Sequence, residues 1–459
     1  MKILITNTDV LNGGCAAMMQ ALLRLLRRAF GDDTEFLVYV NRPEAASRLY
    51  PDVAFRRWLY LSWEDSLKIK LPWRVHRFVN KVRFALGAHS VRRGLLSAAR
   101  LLLTSEELRD LMEYSTADLI IANGGTTLVE NYYLQPHIFD FNVTLFFSRP
   151  LIFFTQSLGP FLRRYNRLPL RRIFDRSALV MLRDRKSLDN LLALGVANAN
   201  MYVTADAALA LADADVIERA ANDASPMGSS INVAISVREW KFFRTVSRTA
   251  GMDRYIEAFR ALTAHLVKRY KAHVTYISSC QGIPECREDD SAIASSIVEA
   301  LPDGIRESVM VDKDFHPPEE LMSRIREYDL VIATRFHMVI LALCVGVPAL
   351  PVSYEFKTEE LFAGLNQRDW VQDIEQISAG SLIRAADSFI QAIPRERKAL
   401  FEAVERERVR AIESIELVKQ AFERWAEAEP TCEAGVDEPR ERGLSKTTVA
   451  GSLACRKTD

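Results

Sequence analysis

Arg335 and His337 stand two residues apart, directly after the apolar run Leu330–Ala333. An apolar run of that length reads as a buried strand. In an open α/β sheet, ligands gather at the carboxyl ends of such strands. The residues from Met338 to Cys344 continue as a buried helix, closed by Gly346 and Pro348. The pair therefore occupies a strand-to-helix junction, where unpaired backbone N–H groups favour an anion. Arginine brings a fixed positive fork for phosphate or carboxylate, and histidine can pass a proton near neutral pH. The chemistry implied is the handling of a small, highly charged anion.

Similar loops recur at other strand ends. Asn123-Gly124-Gly125-Thr126-Thr127 follows an expected strand Asp118–Ala122; its glycines permit close backbone approach to a ligand, although such loops also serve as plain turns. Gln156 and Ser157 follow the strand Pro150–Thr155, either facing a ligand or bonding within the loop. Arg183, Arg185 and Lys186 follow the strand Leu179–Leu182 and precede a helix, a pattern of an anion site or of a solvated turn. Asp206 reads as a brace for its loop. Arg238 ends the strand Ile231–Val237, where a cleft position and a solvent position are equally open. Lys357 again places a cation past a strand end. The remaining histidines (76, 89, 137, 265, 273 and 316) have no partners at telling spacings and read as structural.

These loops need a scaffold that aims them at each other. Strands alternate with helical stretches along most of the chain, the rhythm of parallel sheets covered by helices. The expected organisation is an N-terminal Rossmann-like domain over 1–210 and a linker over 211–230. A second Rossmann-like domain follows over 231–385, then a helical segment over 386–428. Residues 429–459, polar and sequence-simple, read as a disordered tail. Inside the first domain, residues 56–100 hold 11 Lys/Arg against two acids, Glu64 and Asp65, with Trp58, Tyr60, Trp63, Trp73, Phe78 and Phe84 interleaved. Such a stretch can lie on an anionic membrane surface, or its aromatics can pack inward as an ordinary helical insertion.

Composition narrows the classes further. With 60 basic and 60 acidic residues, a general nucleic-acid binder is not expected. No run of about 18 uncharged apolar residues occurs, and the opening Met1–Ile5 resembles a core strand rather than a secretory signal. The six cysteines (15, 280, 286, 344, 432 and 455) lack metal-ligand spacing, so no metal is expected. A reduced cytoplasmic setting fits them.

Taken in order, the loops resemble the polysaccharide pyruvyl transferase family. The residues carrying the resemblance are Asn12-Gly13-Gly14, Gly124-Gly125, Gln156 to Pro160, Arg183-Asp184 with Ser187, Leu194-Gly195 and Asp206-Ala207-Ala208, with Arg335-Phe336-His337, Gly346-Val347-Pro348 and Lys357 the most specific. Many members carry Gly-Asp after the asparagine in the first loop; here the acid's place is taken by Cys15. The resemblance implies two domains facing a central cleft, similar to the GT-B glycosyltransferase architecture. It implies transfer of a pyruvyl group from phosphoenolpyruvate to two hydroxyls of one sugar, giving a cyclic ketal, with no cofactor. Arg335 and Arg183 are the implied donor-binding residues and His337 the implied general acid/base. Arg185, Arg238, Lys357, Gly124, Gly125 and Gln156 complete the expected site. The expected partners are phosphoenolpyruvate and a sugar or lipid-linked oligosaccharide, with peripheral contact at the inner face of the membrane. The rival readings are a nucleotide-sugar glycosyltransferase and a non-catalytic polysaccharide-binding or assembly protein.

Overall fold

The computed structural model describes residues 1–66, 72–223, 225, 228–286 and 288–428. Seven parallel strands form the first sheet: β1 (Lys2–Thr6), β2 (Glu35–Val40), β3 (Ala54–Arg57), β4 (Leu119–Ala122), β5 (Leu151–Gln156), β6 (Leu179–Leu182) and β7 (Met201–Val203), in the order β3-β2-β1-β4-β5-β6-β7. Six more form the second: β8 (Asn232–Ser236), β9 (His273–Tyr276), β10 (Val309–Val311), β11 (Leu330–Ala333), β12 (Ala349–Ser353) and β13 (Gln372–Asp373), in the order β10-β9-β8-β11-β12-β13. The central strands are buried on both faces, as their unbroken apolar sequences require: every residue of β4 and of β11 is buried. In each sheet the strand order reverses beside the first strand, between β1 and β4 and between β8 and β11. A doubly wound sheet places its ligand crevice at that reversal. Four loops therefore matter most: those after β1, β4, β8 and β11.

The two sheets share one core. Ile3 and Met18 of the first half belong to the same apolar cluster as Val331, Phe336 and Leu341 of the second. The C-terminal helix Ala379–Ala428 completes the joint. Its first turns bury Leu382, Phe389 and Ile390 in the second domain's core, and its later turns bury Phe401, Val404, Ile415 and Val418 in the shared cluster.

This helix begins at Ala379, ahead of the expected 386, and Pro394 lies within it. A proline in a periodic stretch reads as a helix boundary; here the packing of Leu382 to Ile393 holds the turns that precede it. The segment 211–230, expected as a linker, carries the helix Ala214–Asn222, whose Ile217 and Ala220 are buried; Pro226 lies outside the described residues. Residues 56 and 57 end strand β3, which had no separate signal. Tyr60, Trp63 and Phe84 of the basic stretch pack inward, whereas Phe78 is 67% exposed. Lys68, Lys70 and the tail 429–459 also lie outside the described residues. Among the described residues no helix is long and apolar enough to cross a membrane.

Candidate functional site

A cavity of about 800 Å³ opens between the two carboxyl edges, and the loops at both strand reversals line it. From the first domain come Thr8, Asp9 and Asn12 after β1, and Gly125, Thr126 and Thr127 after β4. Asn12 caps the helix Gly13–Phe30 by accepting from the Gly14 N–H at 3.0 Å. Gly13 touches the second domain directly, its N–H donating to the Ser279 carbonyl at 2.9 Å. Gly14 has no room for a side chain: a Cβ there would lie 2.1 Å from Nδ1 of His337. The glycine pair thus lets the first helix start against the opposite domain and against the imidazole.

The second domain supplies the charge. Arg335 caps β11 and is held by Asp290, its Nε and Nη2 donating at 2.7 and 2.8 Å, while Nη2 also reaches Glu288 at 3.0 Å. Arg238, after β8, approaches the same Glu288 oxygen at 3.5 Å and lies 4.4 Å over the Tyr354 ring. Lys357, after β12, pairs with Glu355 at 2.8 Å and lies 5.1 Å over the other cation's aromatic partner, Tyr354. Arg183 enters from the first domain beneath Phe336. It pairs with Asp206 at 2.5 Å, donates to Thr126 Oγ1 at 2.6 Å and stacks 5.0 Å from the Phe336 ring. Arg183, Lys357 and Arg335 thus surround Phe336 and His337, with Arg238 beyond Tyr354, and the four are answered by Asp206, Glu288, Asp290 and Glu355. Three of those acids are buried or nearly so, but the Glu288 side chain is 46% exposed. Its carboxylate bridges two guanidinium groups from the solvent side, and the Arg335–Arg238 pair is therefore a place that accepts a carboxylate.

His337 sits at the centre. Its Nε2 is buried without a hydrogen-bond partner and stops 3.8 Å short of Asp206. Burial drives its pKa down to about 3; Asp206 opposes this, while Arg183, Lys357 and Arg335 push the same way. The ring is therefore neutral at neutral pH and can take a proton but holds none to give. Tyr354 is the opposite case. Burial alone would raise its phenol, but Lys357 and Arg238 outweigh it and leave the pKa below the ordinary value. On Lys357, burial opposes the charge, and Glu355 and Tyr354 reverse that, so the amine stays protonated.

The family model for polysaccharide pyruvyl transferases matches residues 12–355, a span that contains Arg183, Arg238, Arg335, His337 and Tyr354 and ends two residues before Lys357. The chain belongs to that family. Amylovoran biosynthesis protein AmsJ of Erwinia amylovora is 24% identical over 298 residues, covering 64% of this chain and 70% of AmsJ. In solved structures, the fold is similar to the UDP-GlcNAc 2-epimerase of Neisseria meningitidis bound to UDP-GlcNAc, with 12% identity, a TM-score of 0.51, and coverage of 92% of this chain and 100% of that one. It is also similar to the S. aureus MnaA–UDP co-structure, with 10% identity, a TM-score of 0.50, and coverage of 91% and 97%. These likenesses show the GT-B-like fold of two parallel-sheet domains.

Of the residues that the sequence pointed to, Gly125, Arg238, Arg335, His337 and Lys357 line the cleft. Arg183 lies just behind it, with Asp206 as its counter-ion. The structure does not bring Arg185 in: its side chain is 70% exposed and pairs along its own helix with Asp189. The reason lies in Asp184, whose carboxylate caps that helix at the Ser187 N–H at 2.7 Å and so supplies the anion locally. Gln156 is wholly buried, donating to the Ala122 and Asn123 carbonyls at 3.1 and 2.5 Å, and it staples β5 to the β4 loop. Gly124 also serves packing, because a Cβ there would meet the Met18 methyl at 2.1 Å. Sequence reasoning missed Asp9, Glu288, Asp290 and Tyr354, and it missed the aromatic wall made by Trp58, Tyr132 and Tyr133. Asp290 opens a helix 14 residues beyond the end of β9, too far along the chain for the strand-end rule that found the arginines.

Proposed function

We propose that the chain transfers a pyruvyl group from phosphoenolpyruvate to two hydroxyls of a sugar in a polysaccharide or its precursor, closing a cyclic ketal. One observation carries the reading. The Glu288 carboxylate already bridges Arg335 and Arg238 at 3.0 and 3.5 Å from a half-exposed position, a binding mode the donor's carboxylate can take over. Lys357 and Arg183, sharing Thr126 Oγ1, then suit the phosphate.

Protonation of the donor's methylene carbon makes C2 electrophilic. The first sugar hydroxyl attacks C2, the C2–O bond to phosphate breaks, and the neighbouring hydroxyl closes the ring and gives its proton to the departing phosphate. Burial and the cations Arg183, Lys357 and Arg335 hold the His337 pKa low in the empty cleft; in this reading the donor's negative charge offsets those cations, and neutral His337 then accepts the proton of an attacking hydroxyl, a role typically worth about 10²–10⁴-fold in rate. Tyr354, its phenol made more acidic by Lys357 and Arg238, supplies the proton to carbon. The cations stabilise the departing phosphate. The sugar ring lies on the first domain's wall, where Tyr132 and Tyr133 are 51% and 57% exposed and offer apolar faces with polar tips. The acceptor is a sugar or a lipid-linked oligosaccharide, the donor is a substrate rather than a cofactor, and the reaction belongs on the cytoplasmic side of the membrane.

Incubation with phosphoenolpyruvate and a panel of sugar acceptors tests this, read by phosphate release and by the mass gain of one pyruvic acid less water. Calorimetry in which phosphoenolpyruvate gives no heat while a sugar nucleotide binds tightly would favour the glycosyltransferase reading instead.

A further inference from the structure

The helix Trp73–Arg92 has two apolar sides, and only one is used by the fold. Asn80, Phe84, Ala88 and Val91 form its buried side. On the opposite side Val75, Phe78, Val79, Val82 and Leu86 are exposed, at 46, 67, 37, 42 and 54%. Successive residues turn about 100° round a helix, so spacings of three, one, three and four place all five on one stripe. Exposed Leu95, Leu96 and Leu101, the last at 89%, continue the apolar surface beyond the helix. The same rotation puts Arg74, Lys81 and Arg92 in a row along one flank of the stripe. From Pro72 to Thr104 the chain has seven Lys/Arg and no Asp or Glu.

We infer that this face docks on an anionic phospholipid bilayer, with the stripe in the headgroup boundary and the basic row on the lipid phosphates. Two features select that occupant over a second copy of the chain. An interfacial helix combines an apolar face with Lys/Arg on its polar flank and lies in the membrane plane, and juxtamembrane cations gain about 1 kcal/mol each from an anionic leaflet. A self-association face, by contrast, would bring this acid-free basic row against itself. The helix that carries the stripe is also continuous with the cleft through its buried side. Phe84 packs 5.2 Å from Phe139, Phe139 stacks 5.0 Å from Trp63, Trp63 lies 5.4 Å from Tyr60, and the Tyr60 hydroxyl meets that of Tyr133 at 3.4 Å. Tyr133 lines the cavity. A docked helix would hold the aromatic wall at a set height above the lipid, within reach of a sugar presented on a lipid carrier.

The test uses the full chain and vesicles of phosphatidylcholine with or without phosphatidylglycerol. We expect co-sedimentation with the mixed vesicles only, weakening as salt rises. The double substitution Phe78→Ser/Leu86→Ser, and separately Arg74→Glu/Lys81→Glu, should each lower recovery at least tenfold. The charge reversal sits at exposed positions and keeps the test valid should the apolar variant melt early by circular dichroism. Recovery of both variants equal to the wild type, or no wild-type binding to mixed vesicles, overturns the proposal. So does light scattering that shows a dimer split by the apolar variant. Vesicle binding makes no use of the reaction, so its failure leaves the pyruvyl reading standing, and the reverse also holds.

Discussion

Removing Glu288 should make the protein bind phosphoenolpyruvate more tightly. Its carboxylate sits 3.0 Å from Arg335 and 3.5 Å from Arg238, and an incoming donor carboxylate must displace it from both. Coulomb's law at an effective dielectric of about 20 gives each contact about 5 kcal/mol. That figure is an upper limit here, because the side chain is 46% exposed and exposed pairs typically measure ~0.2–1 kcal/mol. Two such contacts give about 0.5–2 kcal/mol of internal competition, and each 1.4 kcal/mol or so is tenfold in affinity. Glu288→Ala should therefore lower the Kd for phosphoenolpyruvate by about twofold to thirtyfold, with Glu288→Gln close behind. Arg335 stays in place without Glu288, because Asp290 still holds it at 2.7 and 2.8 Å. Arg238→Ala removes one arm of the fork and should weaken binding by about tenfold or more, since a charged hydrogen bond is worth ~1.5–3 kcal/mol. Calorimetric titration of the three variants with phosphoenolpyruvate reads this without knowledge of the acceptor. If Glu288→Ala weakens binding or leaves it unchanged, the carboxylate is not a stand-in for the ligand, and the assignment of the fork fails.

Substituting His337→Asn should cost at least about 100-fold in turnover while the melting temperature holds; an unchanged rate would remove the histidine from the mechanism. Gly14→Ala should inactivate comparably, because its Cβ would lie 2.1 Å from Nδ1 of His337; crystallography or histidine NMR showing an unmoved imidazole would refute that route. Tyr132→Ala with Tyr133→Ala should raise KM for the sugar severalfold and leave KM for phosphoenolpyruvate alone, and an equal rise in both would detach the aromatic wall from the acceptor. Acid should destabilise the protein through His337 and His137, whose pKa values burial holds near 3 and 4. Both lie below the unfolded value of about 6.5, so the unfolded chain binds more protons and stability falls as pH drops from about 6.5 towards 3, by up to ~1.4 kcal/mol per pH unit for each ring. Urea titrations of His337→Asn should show a shallower slope across that window, and the wild-type slope would contradict the burial argument.

The parallel sheets and most strand ends were legible because buried strands leave unbroken apolar runs: Leu179–Leu182 and Leu330–Ala333 coincide with their strands. Strand β3 (Ala54–Arg57) lies at the sheet edge and carries two arginines, so no such run marks it. The cations past strand ends were legible by type but not by direction. Arg335 and Lys357 turn into the cleft, whereas Arg185 turns out because Asp184 had already satisfied the helix it precedes. The acids that meet the arginines were hidden for a different reason. Asp290 and Glu288 lie 45 and 47 positions from Arg335, and pairing over that separation is set by sheet order, not by local pattern.

That pairing bears on how the cleft stays ready for its ligand. Four cations confined to one cleft would repel each other and lower the stability of the fold. Asp206 and Asp290 offset this from buried positions and Glu355 from a side chain 16% exposed, and together they fix the direction of Arg183, Arg335 and Lys357, which is what preorganised charge stabilisation demands. Because Asp206 and Asp290 also belong to the packed interior, a ligand cannot displace them without disturbing their surroundings. Glu288 is different, being half-exposed and tied by charge alone. The site is thus nearly neutral when empty, and the counter-ion most easily displaced is at the corner where Arg238 and Arg335 converge. A ligand with a carboxylate at one end and a phosphate about three bonds away can use that corner and still reach Lys357, whereas a lone phosphate must choose between them. We therefore predict selectivity for a carboxylated phosphate over inorganic phosphate, weakened in Glu288→Ala, where the corner no longer requires a carboxylate to open it; competition calorimetry with the two ligands on wild type and variant checks this, and equal affinities in the wild type would refute it.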